Sequence, residues 1–332
     1  LVVRARRSHP HRIRRERRAS VGELVQMDGS EHDWLGTGER CVLFVMVDDA
    51  SGETFCRFYE SEETWSAFDL FGRYVKKRGL PMALYVDKDS IYRVNDERAQ
   101  EAGKQRGQPP LTQFGRAMKE LGVAVICANS PQAKGRVERM NSTLQDRLVK
   151  ELKLSGVKTL AAANRYLEKT FLRRHNARFR CAPADGVNLH RRVPAGLRIE
   201  DVLCVVEKRV VGRDWCVRFE NRVLQIDRKH EGLALAGRAV EVLQGSEGCL
   251  RVRHGSRFLR WVELPATAAK RGASCPSLAP LAMEGATVAN ATVPPLPALP
   301  LGPSHASGRS SMAWRPGRWH AWNRQRIGAG SP

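Results

Sequence analysis

An unbroken apolar run at residues 41–49, CVLFVMVDD, constrains the fold of this chain more than any other feature. Runs of this kind are typical of strands buried on both faces of a sheet. The next apolar run, ETFCRFY at 53–59, follows the turn residues Ser51 and Gly52. Two strands joined by so tight a turn indicate an antiparallel hairpin inside a covered sheet.

Further apolar segments on both sides of the hairpin predict the rest of this sheet. A strand-like run from Glu23 to Met27 ends in Asp28, and MALYVD at 82–87 also ends in an aspartate. Helical spacing predicts four helices and a short apolar run predicts one more strand. The helices are expected from Ser61, a plausible N-cap, to Gly79, and at 112–121, 133–152 and 159–174; the strand is expected at 123–129.

The order of these elements, three strands followed by alternating helices and strands, is that of an α/β fold with a mixed five-stranded sheet and helices on its faces. The polar stretch 95–110 carries no apolar pattern, so it is predicted as an exposed insertion. Short alternating segments with Gly and charged turns at 201–264 indicate a small all-β barrel or sandwich.

Composition divides the chain into five predicted regions. The ends carry no apolar periodicity, and the last segment centres on PPLPALPLGP. The regions are a basic linker at 1–20, an α/β domain at 21–180, a connector at 181–200, a small β-barrel domain at 201–264, and a Pro/Ala/Gly-rich tail at 265–332 that is expected to be disordered.

Charge points to a polyanionic partner. The chain has 56 Lys and Arg against 35 Asp and Glu, a net charge of +21, which is typical of nucleic-acid-binding proteins. The 8 cysteines form no C-x-x-C pair or zinc-spaced cluster, which indicates a reducing cytoplasm and no structural zinc. No apolar run is long enough to span a membrane. Because the chain opens at Leu1 in a basic stretch, we expect its natural N-terminus to lie further upstream.

Three carboxylates are placed as a metal site would require. Asp28 and Asp87 each follow an apolar strand, and Glu138 lies in the predicted helix PQAKGRVERMN at 131–141. A single aspartate at a strand end is usually a turn residue or helix cap. Three carboxylates that converge repel one another unless divalent cations neutralise them, and two such ions support in-line displacement at phosphorus.

The segments around these carboxylates resemble the catalytic core of DDE transposases and retroviral-type integrases, most closely the ISNCY group of insertion sequences. They are QMDGSEHDW (26–34), YVDKDSIYRVN (85–95) and residues 112–152, and RRHNARFRCAPAD (173–185) resembles the stretch that follows the core. The resemblance implies an RNase H-like fold over 21–180. Glu138 comes 51 positions after Asp87, a spacing longer than compact integrases show.

The same resemblance implies a function. Asp28, Asp87 and Glu138 would hold two Mg²⁺ or Mn²⁺ ions for 3′-end cleavage and strand transfer, without a small-molecule cofactor. The expected partners are double-stranded transposon ends and target DNA, with homo-oligomers forming on DNA in the bacterial cytoplasm at the nucleoid. A helix N-terminus and its cations suit phosphate contacts. The predicted DNA contacts are Lys134, Arg136, Arg139, Gln132 and Asn141 at the glutamate helix, and Arg14, Arg15, Arg17 and Arg18 in the linker.

Several alternatives remain open in the sequence. Asp48 and Asp49 are a rival metal pair, and His32 is a further candidate ligand. The favoured interpretation is that the two aspartates start the hairpin turn and that His32 belongs to a polar loop near the site. Basic residues of the β-region form either a DNA-binding face or solvated strands: Arg209, Arg213, Arg218 and Lys229. The rival functions are an RNase H-like nuclease that only hydrolyses DNA, and a DNA-binding transposase remnant without catalysis.

Overall fold

The computed structural model describes residues 16–128 and 135–265, apart from 106, 108, 109 and 247. Predictions for the first fifteen residues, which include Arg14 and Arg15, lie outside the described residues. So do Gln132, Lys134 and the tail from residue 266 onward.

Five strands form the predicted mixed sheet. Strands β1 to β3 are antiparallel neighbours, and β4 and β5 run parallel to β1. The spatial order is β3-β2-β1-β4-β5. This arrangement confirms the RNase H-like fold class and the hairpin. The strands are β1 (Val25–His32), β2 (Cys41–Asp48), β3 (Thr54–Tyr59), β4 (Ala83–Val86) and β5 (Ala124–Cys127).

Seven α-helices occur among the described residues, and the last of them packs into the core of the sheet region through Ile199 and Val202. They are α1 (Thr64–Arg78), α2 (Glu97–Gln105), α3 (Gln113–Glu120), α4 (Gly135–Leu154), α5 (Leu160–Tyr166), α6 (Leu172–Phe179) and α7 (Ile199–Val202). A π-helical turn, Leu167–Phe171, joins α5 to α6. Within the described parts of the chain, no helix has the length and apolarity that crossing a membrane requires.

Every residue of strand β2 is buried, which explains why the strand is apolar from Cys41 to Val47. Phe44 and its alternate neighbours pack with α1 and α3 on one face of the sheet. Leu43 and Val45 pack with α4, α5 and α6 on the other. Successive side chains of a strand point to opposite faces, so a strand between two helical layers has no polar face.

The polar insertion prediction for 95–110 is wrong in part, because α2 forms inside it. Asp96 caps the first turn by accepting a hydrogen bond from the backbone N–H of Arg98 at 2.9 Å. The helix itself consists largely of strong helix formers, ERAQEAGKQ. A search for apolar periodicity overlooks such a helix, because its stability comes from capping and propensity.

Two helix boundaries also differ from the predictions. Helix α1 begins at Thr64, and the hydroxyl of Ser61 bonds to Glu63 instead of capping the helix. Thr159 does cap α5, as its hydroxyl accepts from the N–H of Ala162. The helical path then continues through the π turn to Phe179, five residues beyond the predicted end.

The all-β region consists of two sheets packed around one apolar core. A four-stranded sheet has the order β11-β10-β9-β6, and a three-stranded sheet has the order β12-β8-β7. One apolar run, RFLRWVEL, supplies strands to both sheets by changing sheet at Arg260. The strands are β6 (Val205–Val210), β7 (Cys216–Phe219), β8 (Arg222–Ile226), β9 (Ala239–Gln244), β10 (Leu250–His254), β11 (Arg257–Leu259) and β12 (Trp261–Leu264).

Candidate active site

Strands β1 and β4, which carry or precede the two predicted aspartates, pair in parallel. Val25 pairs with Leu84 and Gln26 with Tyr85. In this pairing, Asp28 and Asp87 each follow the last paired residue by two positions, and β4 itself ends at Val86. Asp28 does not end its strand, as the sequence had suggested, because β1 continues to His32 beside β2. It lies instead where the neighbouring strand β4 stops.

Helix α4 runs alongside β1 and is fixed to it by three hydrogen bonds. The N–H of Val137 donates to Gln26 Oε1 at 3.2 Å, and Asn141 Nδ2 donates to Asp28 Oδ2 at 2.8 Å. Gln145 Nε2 continues the series by donating to the Ser30 hydroxyl at 3.1 Å. Four helical residues advance about 6 Å and two strand residues about 6.6 Å, so the two elements stay in step.

Glu138 occupies the first turn of α4, one residue after Val137, and its side chain is exposed. Within the described ranges, no three His, Cys, Asp or Glu side chains are grouped closely enough to hold a metal ion. Glu138 is thus not grouped with Asp28 and Asp87 in the described structure, and the triad stays a prediction.

Two further residues lie near the aspartates and were missed from the sequence. The Glu62 carboxylate sits over Gly29, where an added Cβ would meet Glu62 Oε2 at 2.4 Å. The Tyr92 hydroxyl is buried and lacks a hydrogen-bond partner in the described part of the chain. Burial, followed by the charges of Glu62, Asp87 and Asp28, raises the pKa of Tyr92 well above its ordinary value. Only Gly29 gave a signal, because glycine inside a strand marks close approach.

Asp48 and Asp49 serve the hairpin turn and helix anchoring, as the turn interpretation predicted. Asp48 Oδ1 accepts from both the N–H and the hydroxyl of Ser51 at 2.8 Å. Asp49 is fully buried and accepts from Gln26 Nε2 and from Arg136 Nε, each at 2.8 Å. These bonds fix Asp49 in the interior, where it anchors the start of α4.

Several predicted DNA contacts are engaged inside the protein. Arg136 forms the ion pair with Asp49, and its side chain is only 16% exposed. Asn141 is 8% exposed and directs its amide N–H to Asp28. We therefore correct the assignment of both residues from DNA contact to positioning of the site. Arg139 is exposed in the first turns of α4 and remains a candidate for phosphate contact.

The described part of the basic linker docks on the sheet region. Arg17 Nη1 donates to the backbone oxygen of Ala50 at 3.2 Å, and the N–H of Arg18 donates to Asp49 Oδ2 at 2.9 Å. Linker residues therefore lie beside the turn that follows β2. Both arginines retain some exposure, so their prediction as phosphate contacts stands untested.

Two protein relatives match this chain by sequence. A putative transposase of Sinorhizobium fredii, y4bF, is 43% identical over 250 residues, which are 74% of this chain and 52% of that protein. The transposase for insertion sequence IS1202 of Streptococcus pneumoniae is 32% identical over 215 residues, 64% of this chain and 44% of that protein. The chain thus spans about half the length of the relatives it matches.

Comparisons with protein-family models and with solved structures are less informative. No protein-family model matches the chain. The magnesium-bound catalytic core domain of HTLV-2 integrase, in its dimeric form, superposes with a TM-score of 0.32 at 16% identity, over 44% of this chain and 84% of that one. The sequence matches carry the assignment: this chain belongs to the transposases of insertion sequences.

Proposed function

We propose that this chain is the catalytic part of a DDE-type transposase, a polynucleotidyl transferase that cleaves the 3′ ends of an insertion sequence and joins them to target DNA. The observation that supports the proposal is the parallel pairing of β1 and β4, in which Asp28 and Asp87 each follow the last paired residue by two positions. Sequence identity of 43% to a putative transposase across three quarters of the chain supports the same reaction class.

The donor atoms suit a hard divalent cation. Asp28 and Asp87 offer carboxylate oxygens at neighbouring strand positions, and Glu138 adds a third from the α4 rim. Mg²⁺ and Mn²⁺ prefer such oxygen ligands and complete their shells with water and phosphate oxygens. The buried Asn141 Oδ1 has no hydrogen-bond partner among the described residues, so the region also holds an unsatisfied acceptor. The chemistry of these donors supports the proposal of two Mg²⁺ or Mn²⁺ ions, which would require Glu138 to join Asp28 and Asp87.

Bound in this way, the two ions would supply an activated oxygen nucleophile and stabilise the leaving oxygen at phosphorus. The protein's own residues keep the ligands in place. Asn141 donates to one oxygen of Asp28 from the helix side and thereby restricts the orientation of that carboxylate. The buried Arg136–Asp49 pair fixes the first turn of α4, and thereby the backbone of Glu138.

Double-stranded DNA is the proposed partner, both as transposon end and as target. A net charge of +21 favours binding to a polyanion and makes the affinity fall steeply with salt. We also propose that the chain oligomerises on paired ends and acts in the bacterial cytoplasm at the nucleoid.

The decisive experiment measures nicking and strand transfer by the full chain in Mg²⁺ or Mn²⁺. Its substrate is a labelled linear duplex carrying an end of the insertion sequence that encodes the chain. Asp87→Asn and Glu138→Gln are expected to lower both reactions at least about 100-fold, since even residues behind a metal ligand contribute 10–100-fold. DNA binding should remain. The matched control is Asp146→Asn, which removes an exposed carboxylate of α4 that pairs with Lys150.

Other outcomes would replace the proposal. Hydrolysis without joining would identify a nuclease. A parent protein that binds the duplex and performs neither reaction would indicate a DNA-binding remnant without catalysis. Equal loss of activity in Asp146→Asn would remove the special role of Glu138.

A further inference from the structure

A cleft of about 170 Å³ lies between the C-terminal half of α4 and helix α6. Arg147 and Glu151 line it from α4, and Arg174, His175 and Arg178 line it from α6. Small-molecule sites usually enclose roughly 300–1,000 Å³, so this volume suits a small charged group better than a cofactor.

An aromatic column forms one wall of the cleft. Phe171, His175 and Phe179 are spaced four residues apart along the π turn and α6, which puts them on one face. The His175 ring lies 5.3 Å from that of Phe171 and 4.7 Å from that of Phe179. Phe179 is 36% exposed, so the column ends at the surface.

Two guanidinium groups are held on the ring of Phe179. The central carbon of Arg147 lies 5.0 Å from the ring centroid, and that of Arg178 lies 5.7 Å from it. Neither arginine forms an ion pair with a carboxylate of the described residues. Stacking on a ring fixes the plane of a guanidinium while its N–H groups keep their capacity to donate.

The single acid of the cleft is already neutralised. Glu151 accepts from the Tyr166 hydroxyl at 2.8 Å and pairs with Arg174 at 3.3 Å. The lining therefore retains a surplus of positive charge from Arg147 and Arg178.

His175 adds an unsatisfied polar atom. It is 5% exposed, and its Nε2 has no hydrogen-bond partner in the described structure. Burial, with a further contribution from Arg147, lowers the pKa of His175 to about 4, so the ring is neutral at pH 7. A neutral imidazole supplies one N–H donor without further charge.

We propose that this cleft binds a phosphate of the DNA backbone at a position separate from the candidate active site. Two ring-held guanidinium groups match the paired oxygens of a phosphodiester, which arginine binds in a bidentate manner. Arg147 follows Glu138 by nine residues, about half a turn around α4 and about 13 Å along its axis. The phosphate bound here is thus not the scissile one. The identity of the ligand as DNA rests on the proposed function.

The test measures binding of the full chain to a fluorescein-labelled 30-base-pair duplex by anisotropy in EDTA, where no cleavage is needed. The double variant Arg147→Gln/Arg178→Gln is expected to weaken binding about tenfold and to lower the slope of log Kd against log salt by about one. The control, Arg165→Gln/Arg173→Gln, removes the same charge from exposed positions of α5 and α6. It should change Kd less than twofold.

A local measurement accompanies the affinities. Phenylglyoxal modification followed by mass spectrometry should show that the duplex protects Arg147 and Arg178 but not Arg165 and Arg173. Arg147→Lys, which keeps the charge but loses the planar fork, is expected to lose part of the affinity.

Three results would overturn the proposal. These are an unchanged Kd in the cleft variant, an equal loss in both double variants, and loss of self-association without DNA in the cleft variant alone. The last result would assign the cleft to a second copy of the chain. Because the assay requires no catalysis, a failed nicking reaction would leave this result interpretable.

Discussion

At the scale of single residues, the contact between Asn141 and Asp28 links the helix to the sheet. The amide N–H lies 2.8 Å from a carboxylate oxygen, and Asn141 is buried. A hydrogen bond to a carboxylate is stronger than one between neutral groups, so this bond ties α4 to β1 at Asp28. Asn141 therefore acts on the site through Asp28, as a positioning residue.

Asn141→Asp should be destabilised by about 1–3 kcal/mol without divalent ions, because it replaces the donor by a second carboxylate. We expect Mg²⁺ to raise its Tm more than that of the parent, since a cation would neutralise the pair. The control is Asn164→Asp, which disturbs a buried asparagine bonded to the backbone of Phe58. Identical Mg²⁺ responses in both variants would contradict a metal site at Asp28.

His175 is the residue whose burial gives a pH dependence. Its pKa falls from 6.5 to about 4, because burial and then Arg147 disfavour the charged ring. Between these pH values the unfolded chain binds a proton that the folded chain does not, so folding stability decreases as pH falls below 6.5. The effect is absent above pH 6.5. His175→Gln should therefore lose less stability than the parent between pH 7 and pH 5, as measured by urea midpoints. Parallel losses would refute the assignment.

At the scale of elements, the order of strands and helices along the chain and the helices with apolar stripes could be predicted from the sequence. In a buried strand such as β2 and an amphipathic helix such as α4, the pattern of apolar residues shows which faces are buried. Helix α2 could not be predicted by that criterion, because it has no buried stripe to reveal it. Nor could the local pattern show that RFLRWVEL changes sheet at Arg260, since that depends on the partners of each half.

The candidate site was predictable to a similar degree. Asp28 and Asp87 follow apolar runs, so their positions were readable, and only the pairing register made them neighbours. The pairing of Arg136 with Asp49, which lies 87 positions earlier, could not be predicted. An arginine that forms an internal ion pair and one that contacts DNA look the same in sequence. The position of Glu62, whose carboxylate lies against Gly29 although it comes 33 positions later in the sequence, could not be predicted either.

The residue that ends helix α1 has a backbone conformation that requires glycine. Gly79 has φ 99° and ψ 179°, a conformation almost restricted to glycine. An added Cβ would lie 2.7 Å from the backbone oxygen of Arg191. Gly79→Ala is expected to cost about 3 kcal/mol or more, while Gly156→Ala, at φ 64° in open space, should cost about 1 kcal/mol. Chemical denaturation measures both, and equal costs would argue against the contact with Arg191.

At the scale of the whole molecule, the sheet region and the all-β region are joined through α3. Gln113 Oε1 accepts from the N–H of Val206 at 3.0 Å, and Gln113 Nε2 donates to the Val206 oxygen at 2.9 Å. One side-chain amide thereby takes the place of a neighbouring strand for β6. Arg116 adds a bond from Nη2 to the oxygen of Val202 at 3.0 Å.

Gln113→Leu keeps the size of the side chain but leaves both backbone groups of Val206 without this partner. Each of these partly buried bonds contributes about 0.5–1.5 kcal/mol, so β6 should open more often. Hydrogen exchange followed by mass spectrometry is expected to show faster uptake in β6 and in its neighbour β9, with the five-stranded sheet unchanged. Gln105→Leu, at an exposed position of α2, is the control. If β6 exchanged at the parental rate in Gln113→Leu, the two regions would be held together by apolar contacts instead of by this amide.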